Sequence, residues 1–229
     1  MVRKSLKENK KPYIILSAAM TIDGKIASKI GDPELSDEED WKEVHKLRTR
    51  VDAIMVGKGT ILKDDPKLHI KYYDHSGYYR IVLDSNLSIP LSSKVINYKP
   101  EIYPTLICTT EHVPNGKFRE YGSKKNLEVI RCGSKEQVDI SKLMHILLEK
   151  GIKSILLEGG GTLNWSFIEQ DLIDEIRLTI APWIIGGVEA TSLVEGMGFE
   201  QMNKAPRFDL IDFKHRNNYV ILQYKRVEK

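Results

Sequence analysis

The stretch LLEGGGTLNWSF, residues 156–167, places a carboxylate, three glycines and a threonine directly after an apolar run. Glycines at a strand-to-helix turn let the backbone approach a ligand, and the free N–H groups of a helix start favour an anion. Gly159, Gly160 and Gly161, with Thr162 as helix cap, would supply both features. A plain tight turn explains the glycines as well, and alone they favour it. Glu158 adds a carboxylate able to orient a substrate amino group.

This glycine run does not match the common nucleotide-binding fingerprints. In the dinucleotide pattern Asn164 stands where the third glycine belongs, and no acidic residue follows at about 20 residues on a strand end. No Gly-Lys-Ser/Thr occurs, so the phosphate loop of nucleotide hydrolases is absent as well.

Two further stretches follow predicted strands, residues 56–68 (VGKGTILKDDPKL) and residues 17–27 (SAAMTIDGKIA). In the first, Thr60 and Asp64 are four residues apart and would share a helix face, although a helix cap and a solvated acidic turn would look the same. In the second, Ala19 and Gly24 are small enough to admit a flat ring, but Asp23-Gly24 also suits a simple turn. The carboxyl edge of an open α/β sheet is where ligands bind, which favours the ligand interpretation of the first stretch. For the second stretch, on the same expected edge, a ligand site and a simple turn stay equally good interpretations.

The stretch WKEVHKLR puts Trp41, His45 and Arg48 on one helix face. A lone histidine is more often packed or solvated than catalytic, and Arg48 could hold a phosphate through a bidentate contact. The sequence shows no Ser-His-Asp or Cys-His arrangement and no His/Cys metal cluster. This pattern favours hydride transfer, in which a cofactor brings the chemistry and the protein supplies position.

Strands alternating with helices predict parallel β-α-β units that hold these residues. A capping box of Ser36 and Glu39 would start the first helix. Arg216-Asn217-Asn218 would join two C-terminal strands in an antiparallel hairpin. The expectation is a three-layer α/β sandwich with a mixed, mostly parallel sheet. The predicted strands cover residues 12–19, 52–57, 80–84, 105–110, 127–131, 154–158, 175–182, 208–215 and 219–227; the predicted helices cover 36–51 and 141–150, with a short one from 162.

The composition is that of an ordinary globular protein, with 229 residues, 41% apolar, 29% charged and a net charge of +3. Residues 1–11 are predicted to be a flexible basic tail and residues 12–229 a single domain. Interspersed charges argue against nucleic-acid binding, and no run approaches the ~18 apolar residues of a membrane span. The apolar run after the tail suits a first strand better than a signal peptide. Cys108 and Cys132 form no C-x-x-C pair, which fits a reducing cytoplasm.

Taken in order, the motifs MTIDGKIA, VHKLRTRVDAIMVGKGTILKDDPKL, RIVLDSNLSIP and LLEGGGTLNWSFIEQDLIDEI resemble those of the riboflavin-pathway reductases. The resemblance covers nearly the whole chain from Pro12 and is closest to the stand-alone archaeal enzymes. It implies a dihydrofolate-reductase-like fold and reduction of a ribosylaminopyrimidine phosphate to its ribityl form with NADPH, NADH being possible. It also implies a homodimer. The deaminase signature of the bifunctional relatives is missing, so the chain is expected to be a reductase only.

The same resemblance assigns roles by residue. Lys71 stands where the bifunctional enzymes commonly have arginine, which keeps the charge but loses the bidentate geometry. Glu158 is expected to anchor the pyrimidine, and Arg48 or Lys71 the 5′-phosphate. No proton donor is singled out, Asp23 and water both being candidates. The implied cofactor positions are Ala19, Thr60, Asp64, Ser85, Gly160, Gly161, Thr162, Leu163 and Asn164, and the implied substrate positions are Arg48, Leu68, Lys71 and Glu158.

Two other functions compete with this expectation. A related dihydrofolate-reductase-like enzyme could reduce another pterin- or flavin-like substrate, because one fold hosts many chemistries. A nucleotide sensor without turnover would bind the cofactor and never oxidise it. The two glycine turns together with Glu158 and Arg48 argue against the sensor.

Overall fold

The computed structural model describes residues 10–227, so most of the tail predicted for residues 1–11 lies outside the described chain. Lys11, assigned by sequence to that tail, forms an ion pair with Asp174. Within the described range the strands are β1 (Tyr13–Thr21), β2 (Ala53–Gly57), β3 (Tyr79–Leu83), β4 (Thr105–Thr109), β5 (Leu127–Arg131), β6 (Ser154–Leu157), β7 (Glu175–Ala181), β8 (Phe208–Arg216) and β9 (Tyr219–Arg226). The helices are α1 (Glu38–Arg48), α2 (Lys58–Asp64), α3 (Lys94–Asn97), α4 (Asn115–Gly122), α5 (Ile140–Glu149) and α6 (Gly161–Glu169), with a 3-10 turn at Met202–Lys204.

The described strands form one nine-stranded sheet in the order β5-β4-β3-β2-β6-β1-β7-β9-β8. The seven strands from β5 to β7 in that order are parallel, and β9 and β8 add an antiparallel hairpin. The chain builds outward from β2 to β5 and then returns, so that β6 enters between β1 and β2. The sheet therefore has a topological switch point at β6, where ligands bind in such folds.

The apolar core explains why helices cover both faces of the sheet. Parallel strands buried on both sides carry near-continuous apolar runs, as AIMV in β2 and SILL in β6 do. Met55 and Leu157 point to the face covered by α5 and α6, whereas Ile54 and Leu156 point to the face of α1. The predicted three-layer α/β sandwich with a C-terminal antiparallel hairpin is confirmed.

Two local predictions were wrong. The first helix is capped by Asp37, which accepts from the Asp40 N–H at 2.8 Å, and not by a box of Ser36 and Glu39. Aspartate caps as well as serine, and the Ser36 hydroxyl instead donates to the Asp40 carboxylate. Thr162 is not the cap of α6 either, because the helix begins one residue earlier and Gly160, with φ of 93°, takes the cap position. The sequence also gave no prediction for α3 or α4.

Among residues 10–227, no helix is long and apolar enough to cross a membrane. The hairpin of β8 and β9 turns at Asn217-Asn218, as predicted, with Asn217 at φ of 51°. Its outer strand leaves apolar side chains in solvent, and Leu210, Ile211 and Phe213 are exposed.

Candidate active site

Four loops meet at the carboxyl edge of the four adjacent strands β3, β2, β6 and β1. They carry the residues whose types suggested chemistry in the sequence, although these lie far apart along the chain. Ser85 follows β3, Thr60 follows β2, Glu158 and the glycine turn follow β6, and Asp23 follows β1. The sheet order therefore brings one candidate group from each loop to a single edge at the switch point.

Glu158 is held by Arg48 from the overlying helix α1. The Arg48 Nε and Nη2 donate to the two Glu158 carboxylate oxygens, both at 2.7 Å, and both side chains are largely buried. Burial opposes the arginine charge, but the Glu158 carboxylate raises the pKa of Arg48 above its ordinary value. The bidentate fork that was expected to hold a phosphate is thus occupied by Glu158 in this structure.

A second buried ion pair fixes the other end of α1. The Asp40 carboxylate accepts from Arg177 Nη2 and from the Thr179 hydroxyl, both at 2.6 Å, on strand β7. Burial opposes the charge, but Arg177 holds the pKa of Asp40 below its usual value. Asp40 near the start of α1 and Arg48 at its end each form a buried ion pair with a residue of the sheet region. The helix therefore cannot rotate or shift along its axis without breaking one of these pairs. Its position over the carboxyl edge is thereby set.

The glycine turn leads directly into α6, whose first N–H groups have no acceptor within the helix. The first intrahelical bond is made by the Asn164 N–H to the Gly160 carbonyl at 2.9 Å, so the three preceding N–H groups lack an intrahelical acceptor. The Asn164 amide donates to the Leu193 carbonyl, while its buried Oδ1 has no hydrogen bond to any described residue. The Thr162 hydroxyl donates to Glu195 at 3.2 Å. An anion at this helix start would therefore lie beside the Glu195 carboxylate.

The other implied cofactor positions surround this turn. The Thr60 hydroxyl donates to the Gly159 carbonyl at 3.4 Å, which joins the loops after β2 and β6. Asp64 lies one turn further along α2, and partial burial raises its pKa. Ser85 is half-buried, and Ala19 is half-buried on β1. Gly160, with no atom but the Thr60 hydroxyl within 4 Å of an added Cβ, leaves open space between the two loops.

Asp23 does not have the state that a proton donor requires. A hydrogen bond from the Thr21 side chain and the N–H of Gly186 lower the pKa of Asp23 to about 2. Its carboxylate accepts from the Ile185 and Gly186 N–H groups at 3.2 and 2.7 Å. At neutral pH it is therefore an anion that holds the loop after β7 against the loop after β1.

Leu68 and Lys71 lie in an irregular segment between α2 and β3. Leu68 is buried with φ of 42°, a left-handed conformation that is uncommon for leucine. The Lys71 side chain is exposed, and its ammonium lies 5.0 Å from the Tyr72 ring centre. Among the described residues no carboxylate pairs with this ammonium, so it is available to an anionic ligand.

Comparison with known proteins shows the family of this chain. The family described as the RibD C-terminal domain matches residues 12–222. The chain belongs to this family. It is 42% identical to the 2,5-diamino-6-ribosylamino-4(3H)-pyrimidinone 5′-phosphate reductase of Methanothermobacter thermautotrophicus, over 87% of this chain and 91% of that one. The Aquifex aeolicus protein of the same name is 37% identical over 96% of this chain and 98% of its own.

Solved structures of RibD confirm the fold of this RibD-type domain. The RibD structure of Acinetobacter baumannii superimposes with a TM-score of 0.81 and 23% identity, over 96% of this chain and 59% of that one. At that identity the likeness concerns the fold alone, which is the dihydrofolate-reductase-like one expected from the sequence.

Several polar residues around the candidate site were not singled out by sequence reasoning. Arg80 is fully buried and donates to three backbone carbonyls, and among the described residues it has no carboxylate partner. Burial lowers the pKa of Arg80 to about 10, which leaves it protonated at neutral pH. The available signal was a cation inside a buried strand, in YRIVL for Arg80 and in EIRLTIA for Arg177. The other missed residues are Asp40, Tyr78, Tyr103 and Glu195.

Proposed function

We propose that this chain is a reductase that acts on 2,5-diamino-6-ribosylamino-4(3H)-pyrimidinone 5′-phosphate in riboflavin biosynthesis, as its relatives are named. It would convert the ribosylamino group to ribitylamino by transfer of a hydride from a reduced nicotinamide cofactor to C1′ of the substrate. One structural observation carries the proposal: Glu158 stands at the switch point between the glycine turn of α6 and the Thr60 loop. A carboxylate that can bind an aminopyrimidine therefore adjoins a helix start suited to an anionic cofactor.

We propose NADPH as the cofactor, which supplies the hydride when it is bound. The residues present fit such a group, because the N–H groups of Gly161, Thr162 and Leu163 have no intrahelical acceptor. Among the described residues the buried Asn164 Oδ1 has no hydrogen-bond donor, so it can accept from a cofactor hydroxyl or amide. The Glu195 carboxylate, which accepts from Thr162, would have to turn away from the cofactor phosphates. Positive φ at Gly160 keeps the backbone free of a side chain where the phosphates would approach. Thr60 and Asp64 would line the cofactor site on the α2 side. Ser85 after β3 and Ala19 on β1 would lie on either side of the cofactor.

The substrate roles follow from the contacts of the four implied substrate residues. Glu158, oriented by both prongs of Arg48, would accept hydrogen bonds from the pyrimidine amino groups. Arg48 would act on the substrate through Glu158. The Lys71 ammonium and the backbone at Leu68 would hold the 5′-phosphate. Fixing the two ends of the substrate places C1′ between them, and orientation of this kind can contribute about 7–11 kcal/mol to a rate.

The proton balance of the reaction points to solvent. When the ribosylamine opens, the C1′–O4′ bond breaks, nitrogen forms a double bond to C1′, and the O4′ oxygen needs a proton. Asp23 cannot supply it at neutral pH, because its pKa of about 2 leaves it ionised. We therefore assign this proton to water at the open carboxyl edge.

The test uses purified protein, NADPH and the enzymatically generated diamino substrate, with the deaminated analogue in parallel. The near-ultraviolet absorbance of the reduced nicotinamide should fall only with the diamino substrate. A fall with the analogue alone would place deamination before reduction and would overturn the proposed substrate. NADPH binding without oxidation in either assay would instead favour a sensor or another substrate.

We also propose that two copies associate through the hairpin. Leu210, Ile211 and Phe213 on the edge strand β8 are 51%, 53% and 66% exposed, and exposed apolar patches mark interaction surfaces. The resemblance to the reductases, which implied a homodimer, is the second support.

We propose that the protein works in a reducing cytoplasm. Cys108 and Cys132 are both buried free thiols, which suits that compartment.

A further inference from the structure

The segment of residues 68–71, which includes Leu68 and Lys71, is held in place by hydrogen bonds from side chains of other elements. It has no helix or strand of its own, yet its backbone polar groups are bonded one after another. Such anchoring is needed for a binding segment to keep its shape without a ligand. The bonds, in chain order, are Leu68 O with Tyr78 Oη (3.0 Å) and Arg80 Nε (3.1 Å), His69 O with Arg48 Nη1 (2.9 Å), Ile70 N with Tyr103 Oη (3.3 Å), and Lys71 N with His45 Nδ1 (2.8 Å).

The bond from the Lys71 N–H defines the state of His45. A backbone N–H can only donate, so the Nδ1 of His45 must be an acceptor and the ring proton must be on Nε2. Burial first, and then the neighbouring charge of Arg48, lower the pKa of His45 to about 3. The ring is buried against Tyr72, with ring centres 5.1 Å apart. The imidazole is therefore a neutral, fixed acceptor at physiological pH.

Simple packing would not require this arrangement. If His45 only filled space on α1, a flat or branched apolar side chain could replace it without loss of stability. The contact made here is specific to one nitrogen. It is made to the residue whose exposed ammonium pairs with no carboxylate among the described residues. Fixing the main chain at Lys71 limits the volume that its flexible ammonium can explore.

We propose that His45 is a positioning residue, which holds the Lys71 backbone so that the Lys71 ammonium meets the 5′-phosphate of the substrate. The inference rests on the proposed function for its ligand and on the observed hydrogen bond for its geometry. His45 does not touch the substrate. It acts through Lys71, so its loss should weaken binding of the phosphate end and leave hydride transfer at C1′ unchanged.

Two substitutions separate the acceptor from the bulk of the ring. His45→Leu fills the space and removes the acceptor, whereas His45→Asn places an amide oxygen close to the former Nδ1. We expect His45→Leu to raise KM for the phosphorylated substrate about fivefold to tenfold, the value of one lost hydrogen bond, with kcat within about twofold. His45→Asn should restore most of that loss. The substrate without its 5′-phosphate should show the same KM with all three proteins.

A double-variant cycle with Lys71→Ala tests the path of action. If His45 works through Lys71, adding His45→Leu to Lys71→Ala should cost nothing further in KM. Additive effects, or equal KM changes with and without the 5′-phosphate, would overturn the proposal, and so would equal behaviour of the leucine and asparagine variants. Melting curves of every variant confirm that the comparison is made on folded protein.

Amide hydrogen exchange at Lys71 decides the positioning role without any turnover. In the wild type and in His45→Asn this amide should be protected, and in His45→Leu it should exchange at least about tenfold faster. If the wild type oxidises no NADPH, the proposed function fails while the exchange result still stands. Equal exchange in all three proteins overturns the positioning role even when the enzyme is active.

Discussion

Arg48 and Glu158 meet across the boundary between α1 and the end of β6, through two hydrogen bonds of 2.7 Å. The remaining guanidinium nitrogen, Nη1, donates to the His69 carbonyl at 2.9 Å. One buried cation thus joins the carboxylate proposed for the pyrimidine to the segment proposed for the phosphate. A displacement of the Glu158 carboxylate should therefore also displace the His69 carbonyl, and the reverse. The distance between these two groups is set by the rigid, planar guanidinium of Arg48.

Glu158→Gln should lower kcat/KM at least about 100-fold while the fold persists, because it removes the charge that orients the pyrimidine. It also leaves the buried Arg48 without a counter-charge, which should reduce the free energy of unfolding by about 3–5 kcal/mol. Steady-state kinetics and urea denaturation measure the two effects. Wild-type kinetics would contradict the anchoring role of Glu158.

The double variant Arg48→Met with Glu158→Leu separates stability from activity. Replacing a buried ion pair by apolar groups of similar volume is often neutral or stabilising, so the melting temperature should return most of the way to the wild-type value. Activity should stay as low as in Glu158→Gln. Recovery of activity together with stability would show that the pair is only structural.

The stability of the protein should fall in mild acid because of His45. Its pKa is about 3 in the folded protein against 6.5 for the free side chain, so the unfolded chain binds a proton that the folded chain rejects. The contribution is complete above about pH 6.5 and is lost as the pH falls toward 3, at up to about 1.4 kcal/mol per pH unit. Burial also lowers the pKa of His69, which adds a loss of the same sign.

Urea denaturation between about pH 4.5 and 7 measures this slope, a range in which the lowered pKa of Asp40 contributes little. His45→Asn cannot titrate and should flatten the curve. His145→Asn, an exposed position on α5, is the matched control and should leave the slope unchanged. An unchanged slope in His45→Asn would mean that His45 binds its proton as readily in the folded chain as in the unfolded one.

Two glycine substitutions should have opposite effects. A Cβ at Gly161 would lie 2.5 Å from the Ser192 carbonyl oxygen and 2.6 Å from Glu195 Cγ, so Gly161→Ala should destabilise by about 1–3 kcal/mol and weaken NADPH binding. Gly59 lies in α2 with nothing within 4 Å of an added Cβ, and Gly59→Ala should gain up to about 1 kcal/mol. Thermal denaturation and cofactor titration give both results. If Gly161→Ala has the stability of the wild type, the loop at Ser192 moves aside at little cost in free energy.

Phe213→Glu should convert the proposed dimer to a monomer. The side chain is 66% exposed on β8, so a charge there costs the isolated chain little but opposes burial in an interface. Light scattering after size-exclusion chromatography measures the mass. Lys214→Glu, the neighbouring position, is a charge-changing control. A dimer that persists in Phe213→Glu would place the interface elsewhere.

The sequence predicted the strands and the fold because parallel strands carry long apolar runs that stand out by themselves. Glu158 and the glycine turn were singled out as candidates for the same reason, since each directly follows such a run. The capping box failed because Ser36 and Asp37 are equally good caps, and only the bond from Ser36 to Asp40 decides between them. Local patterns do not contain that information.

The roles of the residues that support the site were missed for a different reason. His45, Arg80 and Tyr103 act on the backbone of residues 68–71, which has no pattern of its own. Their roles depend on pairings between elements distant in the chain. Arg48 was found, but its partner was not, since nothing in the sequence of α1 states that its guanidinium meets Glu158.

The sheet order has a consequence for the protein while it is still being made. Both neighbours of β1 in the sheet, β6 and β7, are synthesised after β5. A nascent chain that has left the ribosome as far as β5 therefore holds its first strand, rich in apolar side chains, with neither edge paired. Prematurely ended chains of that length have no Glu158 and no glycine turn, so they would be inactive and prone to aggregate. The fraction of the protein that reaches the folded state in a cell should therefore depend on prompt synthesis of residues 154–181.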